Sequence, residues 1–134
     1  MRAVNKGRVL DASAVLAVLF MESGFKSVIP ALESGSAIIG SVNYAEVLSR
    51  LGSYGAPPKE AIEAVAALGV QVIPFGRGQA EFTAQIHPDT SKHGLSMGDR
   101  ACLALGKETG FPVLTADKAW GKLHIEGVKV ELLR

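Results

Sequence analysis

The chain has 134 residues, of which 48% are hydrophobic and 20% charged, so it fits one compact domain and excludes a disordered or low-complexity protein. Lys and Arg number 14 against 13 for Asp and Glu, which excludes a polybasic nucleic-acid clamp and an acidic tail. A single cysteine, Cys102, excludes an intrachain disulfide and a CxxC zinc framework, and it indicates a reducing compartment.

Short apolar strands alternate with Ala- and Leu-rich helices along the chain. In order, the sequence predicts strand 8–10, a helix from Ser13 to residue 20, helix 25–32, strand 37–40, a helix from Ser41 to residue 51, helix 59–68, strand 70–73, helix 79–86, a polar loop over 87–94, a helix between Ser96 and Gly110, strand 112–115, a short helix 119–123 and strand 128–132. The three serines are predicted N-caps. This alternation predicts a single α/β domain over residues 1–134, with a mainly parallel sheet of about five strands covered on both faces.

The apolar run over residues 14–21 resembles part of a secretory signal because basic residues precede it. Asp11 and Ser13 interrupt the approach to the run, no small-x-small cleavage site follows it, and it is far too short to span a membrane. We therefore expect a soluble, cytoplasmic protein with no membrane partner.

Four acidic residues are predicted to reach the same edge of the sheet. Asp11 and Asp117 come just after strands, Asp99 lies in the first turn of a helix, and Glu46 lies about one turn into the helix after the second strand. In open α/β sheets, ligands bind beyond the carboxyl ends of the strands. Carboxylates that share a small space need a compensating cation, and such hard oxygen ligands suit Mg²⁺ or Mn²⁺ rather than zinc. A site of this kind favours phosphoryl chemistry.

Each acid also has a simpler structural interpretation. Asp99 completes a capping-box pattern with Ser96, Glu46 is placed to pair with Arg50 at i+4, and Asp117 is placed to cap the helix after it. Asp11 is the hardest to explain in this way, because an unpaired carboxylate at the end of a core strand is costly.

Two other functions are alternatives for a chain with this predicted fold, and local sequence features distinguish them. A receiver-type phosphoacceptor domain needs an aspartate at the end of the third strand, where this chain has Ile73, Pro74 and Phe75. A dinucleotide-binding loop is indicated by Gly76 and Gly78, but Glu81 stands where a third glycine is needed. Both functions are disfavoured, and the glycines are interpreted as a turn.

Four segments together resemble the PIN-domain ribonucleases, in particular the VapC-type toxins of bacterial and archaeal VapBC toxin–antitoxin systems. The segments are VLDASA at 9–14, SVNYAEVL at 41–48, LSMGDRACLAL at 95–105 and PVLTADKAW at 112–120. The resemblance implies a three-layer α/β/α PIN-like fold and an Mg²⁺- or Mn²⁺-dependent endoribonuclease that leaves a 5′-phosphate and a 3′-hydroxyl. It implies that the metal-binding catalytic residues are Asp11, Glu46, Asp99 and Asp117, and that Ser13, Asn43 and Thr115 support them.

The resemblance also implies partners: an RNA substrate, a VapB-like antitoxin and a second copy in a homodimer. Candidate RNA contacts are the basic residues near the acidic motifs, Arg50, Arg100, Lys118 and Lys122. Trp120 is a candidate for base stacking, although a single Trp among Ala and Leu is more often part of the core. The alternative functions are a housekeeping RNA-processing nuclease and a non-catalytic RNA-binding module.

Overall fold

Five short parallel strands form one sheet at the centre of the fold. The computed structural model describes residues 7–134. The strands are β1 (Arg8–Leu10), β2 (Ala37–Gly40), β3 (Gln71–Ile73), β4 (Val113–Thr115) and β5 (Val130–Leu132). Their order in the sheet is β3-β2-β1-β4-β5, and every neighbouring pair is parallel. The predicted fold class is confirmed.

Helices connect the strands and cover both faces of the sheet. They are α1 (Ala12–Phe20), α2 (Ile29–Glu33), α3 (Ser41–Ser53), α4 (Pro58–Ala66), α5 (Arg77–Gln85), α6 (His87–Ser91) and α7 (Met97–Thr109), with 3₁₀ turns at Phe25–Ser27 and Lys118–Lys122. Because side chains alternate along a strand, each central strand sends neighbouring residues to different cores. Leu10, Ile39 and Leu114 join a cluster with residues of α1 to α4, whereas Val9, Ile38 and Val113 join a cluster with residues of α7.

Helix α7 is the most deeply buried helix and places Asp99 near the sheet. All residues from Ala101 to Gly106 are buried, and α7 contacts β1, β2 and β4. A Cβ at Gly106 would lie only 2.5 Å from Val113 Cγ2. The small residue therefore allows the helix to lie directly on the strand.

Three local predictions were wrong. Asp11, not Ser13, is the N-cap of α1, because its extended backbone directs its carboxylate to the N–H of Ala14. Gly40 precedes α3 without a side-chain cap, and the hydroxyl of Ser41 instead accepts a hydrogen bond from Phe75 N at 3.1 Å. Residues 87–91 form helix α6 rather than a loop. A proline at the start of that helix is compatible with its first turn, where no N–H is needed.

No single helix among residues 7–134 is both long enough and apolar enough to cross a membrane. Residues Ala12–Phe20 and Phe25–Glu33 satisfy the length and composition criteria only as a pair, and the two are bent by 113°.

Candidate functional site

The strand order places Asp11 at the point where the chain changes sides in the sheet. The chain runs from β1 to β2 and β3 on one side, then returns to β4 and β5 on the other. The register pairs Leu10 with Leu114, so Asp11 and Thr115 follow as neighbours at the carboxyl ends of β1 and β4. In open α/β sheets, such a switch point forms a crevice for ligands.

Two hydroxyl groups hold the Asp11 carboxylate. Ser13 Oγ donates to Oδ1 at 2.7 Å, Thr115 Oγ1 donates to Oδ2 at 2.6 Å, and Ala14 N donates to Oδ1 at 2.8 Å. The same hydroxyl oxygens accept from the backbone N–H groups of residues 116 and 117. A hydroxyl has one proton to donate, so both protons are committed to Asp11. We call Asp11, Ser13, Thr115 and Asp117 the strand side of the site.

Burial raises the pKa of Asp11 from 3.8 to about 6. The hydrogen bonds from Thr115, Ser13 and Ala14 lower its pKa and offset part of this effect, while the nearby Asp99 carboxylate raises it. Asp11 is only 5% exposed, and no cationic side chain neutralises it within residues 7–134. A cation beside this carboxylate would therefore be bound favourably.

Two helices supply the other acids. Asn43, buried in α3, donates through Nδ2 to Glu46 Oε1 at 2.9 Å and to the carbonyl oxygen of Gly98 in α7 at 3.0 Å. Asp99 Oδ2 accepts from Ser96 N at 2.9 Å. We call Asn43, Glu46, Gly98 and Asp99 the helix side of the site.

The two sides enclose a cleft of about 240 Å³, which we call the acidic cleft. Its lining includes all four predicted acids: it comprises Asp11, Ala12, Ser13, Leu16, Glu46, Arg50, Asp99 and Asp117. Cys102 is fully buried. Burial raises the pKa of its thiol, and the carboxylates of Asp11, Asp99 and Glu46 raise it further. Carboxylates from both sides of the cleft therefore act electrostatically on the same buried thiol.

The donor set of the acidic cleft fits a hard divalent cation. Within the described part of the chain, Glu46 Oε2, Asp99 Oδ1 and Asp117 Oδ2 accept no hydrogen bond from the protein. No three His, Cys, Asp or Glu side chains among these residues are close enough to hold one ion directly. Because Mg²⁺ usually keeps several waters and binds only one or two carboxylates directly, this open arrangement suits it better than it suits zinc.

The simpler interpretations of the acids are tested by their contacts. Asp99 does form the capping box with Ser96, and Asp117 caps the following turn through Ala119 N at 3.0 Å. The expected pair of Glu46 with Arg50 is not formed: the ion pairs within residues 7–134 are Arg8–Glu131, Arg77–Glu81 and Lys129–Glu131. Capping uses one oxygen of Asp99 and one of Asp117, so it leaves the other oxygen of each open to a ligand.

The candidate RNA contacts lie in different places. Arg50 lines the acidic cleft. Arg100 Nη1 donates to the carbonyl oxygen of Thr83 in α5 at 3.0 Å, so its guanidinium contacts α5 rather than lining the cleft. Lys118 and Lys122 are exposed in the turn after Asp117, outside the cleft lining. Trp120 is 1% exposed, which confirms a core position and contradicts base stacking in this conformation.

The sequence matches the family model "PIN domain" over residues 8–125. The chain belongs to the PIN-domain family. PIN domains are nucleases in general, and they generally depend on divalent metal ions, which agrees with an acidic cleft at the switch point of the sheet. No curated protein is significantly similar to this PIN domain in sequence.

Solved structures similar to this PIN domain include toxin–antitoxin complexes. One is DNA-bound VapBC from Salmonella typhimurium, with a TM-score of 0.73 and 16% identity over 96% of this chain and 98% of that chain. VapBC2 from Rickettsia felis, bound to a promoter DNA fragment, has a TM-score of 0.72 and 11% identity over 93% and 97%. VapBC-5 from Mycobacterium tuberculosis has a TM-score of 0.61 and 22% identity over 97% and 99%. At sequence identities of 11% to 22%, the similarity shows that these proteins share a fold with this chain.

Sequence reasoning missed Leu16 in the lining of the cleft and Gly98 on the helix side of this PIN domain. Leu16 lies one turn after Ala12 in α1, so the helical period would have placed it beside the strand end. Gly98 lies in the segment LSMGDRACLAL, but its part in the site could not be predicted, since it depends on how closely α3 approaches α7.

Proposed function

We propose that this PIN domain is an Mg²⁺- or Mn²⁺-dependent endoribonuclease and acts as the toxin of a type II toxin–antitoxin pair. The observation that carries the proposal is the acidic cleft: four carboxylates from two strand ends and two helices line one space at the switch point of the sheet. The family membership supports nuclease activity, and the similar VapBC structures support the toxin.

One or two of the four acids would hold the metal directly and the others through its bound waters, and the remaining groups would orient the acids. A divalent ion in such a site lowers the pKa of water and stabilises the charge that develops on a phosphodiester. Ser13 and Thr115 fix the Asp11 carboxylate through their committed protons, and Asn43 fixes Glu46. Partners of this kind hold a ligand's orientation and tune its basicity.

Arg50 is the cation best placed to face an RNA phosphate beside the acids. It lines the acidic cleft and, within residues 7–134, forms no ion pair. Its guanidinium is therefore free to contact the substrate backbone, which positions RNA without reading its sequence. Arg100, Lys118 and Lys122 remain candidates for weaker contacts outside the cleft.

The early helices carry the apolar surface that an antitoxin would cover. Phe20 and Tyr54 are 48% and 64% exposed, and their rings pack edge to face at 5.7 Å. A second apolar feature is a cleft of about 220 Å³ between α3 and α4, lined by residues that include Leu48, Ala56 and Ile62. Exposed apolar surfaces of this kind commonly mark interfaces. We assign them to an apolar antitoxin segment and to homodimer contact.

Metal-dependent cleavage is tested with the purified chain and defined RNA substrates. We expect cleavage with Mg²⁺ or Mn²⁺, none with EDTA, and products that carry 5′-phosphates. The variant Asp11→Asn/Asp117→Asn controls for contaminating nucleases and should be inactive. Asp89→Asn, which changes the one aspartate of the sequence outside the acidic cleft, in the first turn of α6, should cleave normally. Equal cleavage by the double variant and the wild type would refute the nuclease assignment.

The toxin assignment is tested by expression with and without the adjacent small DNA-binding protein that such an operon would encode. We expect growth arrest from the chain alone, relief by that protein, and a complex that copurifies. Normal growth with intact nuclease activity and no copurifying protein would favour the housekeeping alternative instead.

A further inference from the structure

A glycine lies where α3 and α7 meet at the acidic cleft. Gly98 is the second residue of α7 and directly precedes Asp99. Its carbonyl oxygen accepts from Asn43 Nδ2 at 3.0 Å, and the same amide donates to Glu46 Oε1 at 2.9 Å. One buried side chain thus connects the start of α7 to the Glu46 carboxylate.

The Glu46 carboxylate occupies the space where a side chain at position 98 would begin. A Cβ built on Gly98 would overlap Glu46 Oε2 and would lie 2.8 Å from Glu46 Cδ. Gly98 is not among the glycines with positive φ, so its backbone does not require glycine. The reason for glycine here is therefore the space that the carboxylate fills.

We propose that Gly98 is a positioning residue whose missing side chain lets the Glu46 carboxylate lie against the first turn of α7, beside Asp99. The role of Glu46 as a metal ligand rests on the proposed function. The packing of Glu46 on Gly98 stands on the contacts alone, so the two are tested by separate measurements.

A side chain at position 98 should change the site far more than the fold. Glu46 is exposed, and a glutamate side chain can change rotamer, so its carboxylate can move away from a new methyl group. Alanine is also a better helix former than glycine. We expect Gly98→Ala to fold with a melting temperature equal to or above that of the wild type. We expect its Mn²⁺ affinity and its RNA cleavage to fall by at least about tenfold, as when a partner that orients a ligand is lost.

The matched control is Gly78→Ala. Gly78 is the second residue of α5, the same helix position that Gly98 has in α7, and nothing lies within 4 Å of its built Cβ. Gly78→Ala should raise the melting temperature through the same gain in helix propensity, with no carboxylate to displace, and it should leave Mn²⁺ affinity and cleavage unchanged.

A double-mutant cycle with Glu46→Ala isolates the contact. Without metal, Gly98→Ala should raise the melting temperature more in the Glu46→Ala background than in the wild type, where the methyl group must first displace the carboxylate from Asn43. In calorimetric Mn²⁺ titrations, Gly98→Ala should weaken binding in the wild-type background and have no further effect when Glu46 is absent.

The outcomes separate this proposal from the proposed function. Equal increments in melting temperature in both backgrounds would overturn the positioning role, whether or not the protein cleaves RNA. Wild-type Mn²⁺ affinity in Gly98→Ala, or an equal loss of affinity in both backgrounds, would also overturn it while leaving the nuclease intact. A wild type that neither binds Mn²⁺ nor cleaves RNA would refute the proposed function, and the melting-temperature cycle would then decide the positioning role by itself.

Discussion

The two sides of the acidic cleft are built on different principles. On the strand side, Asp11 is buried and receives three hydrogen bonds from residues that follow β1 or end β4. On the helix side, Glu46 is exposed and receives one hydrogen bond, from Asn43. The strand side is set by the register of two neighbouring strands, whereas the helix side is set by the distance between α3 and α7.

This difference implies that the strand side is preorganised and the helix side adjusts. A buried carboxylate with both oxygens hydrogen-bonded cannot move without breaking those bonds. An exposed glutamate with one free oxygen can approach a ligand or turn away from it at little cost. Mutations on the strand side should therefore have the larger effects.

The largest expected effect is that of Asp11→Asn on RNA cleavage. We expect activity to fall more than about 100-fold, beyond the range for residues that only orient a ligand, because the variant removes the most fixed charge of the site. Glu46→Gln should lower activity less, and Arg50→Ala should hardly change Mn²⁺ affinity. Initial rates of RNA cleavage measure the activity of these variants, and Mn²⁺ titrations measure their metal affinity. A Glu46→Gln variant more impaired than Asp11→Asn would contradict the comparison.

The next largest effect concerns the stability of the metal-free protein. The pKa of Asp11 is raised from 3.8 to about 6, so its ionisation in the fold costs stability above about pH 6, and this cost disappears as the pH falls below about 4. The difference corresponds to roughly 3 kcal/mol.

The free energy of unfolding of Asp11→Asn should therefore exceed that of the wild type by more at pH 7 than at pH 4, measured by denaturation in EDTA. If the difference in free energy of unfolding between the two proteins were the same at pH 4 and pH 7, the pKa of Asp11 would not be raised by the fold. Saturating Mg²⁺ at pH 7 should raise the stability of the wild type and much less that of Asp11→Asn.

A smaller effect is expected for the two hydroxyl groups. Thr115→Val and Ser13→Ala each remove a proton donor to Asp11 and should lower Mn²⁺ affinity and cleavage by about 10- to 100-fold. Thr115→Ser keeps the hydroxyl and should retain most of the activity. If Thr115→Val were fully active, the hydroxyl would serve only the turn at Asp117.

The smallest effect separates capping from metal binding at Asp99. Ser96→Ala removes the hydroxyl that accepts from Asp99 N and should cost about 1 kcal/mol of stability, with Mn²⁺ affinity unchanged. Asp99→Asn should change stability no more than this but should weaken Mn²⁺ binding. Equal Mn²⁺ affinity in both variants would reduce Asp99 to a capping residue.

The sequence by itself determined the parts of this PIN domain that depend on short stretches of chain. The strand ends and the placement of the four acids at one edge of the sheet were predicted correctly, because strand patterns and helix starts are local. The supporting roles of Ser13, Asn43 and Thr115 came instead from the resemblance to PIN-domain ribonucleases. All four acids line the acidic cleft, and their role as metal ligands stays a prediction.

The tertiary structure decided what depends on distant elements. The second carboxylate oxygen of Asp11 accepts from Thr115 because β4 pairs with β1. Arg100 points to Thr83 because α5 packs on α7. The place of the Glu46 carboxylate beside Gly98 depends on how closely α3 approaches α7. No local pattern encodes these distances, since they result from the packing of two cores on opposite faces of the sheet.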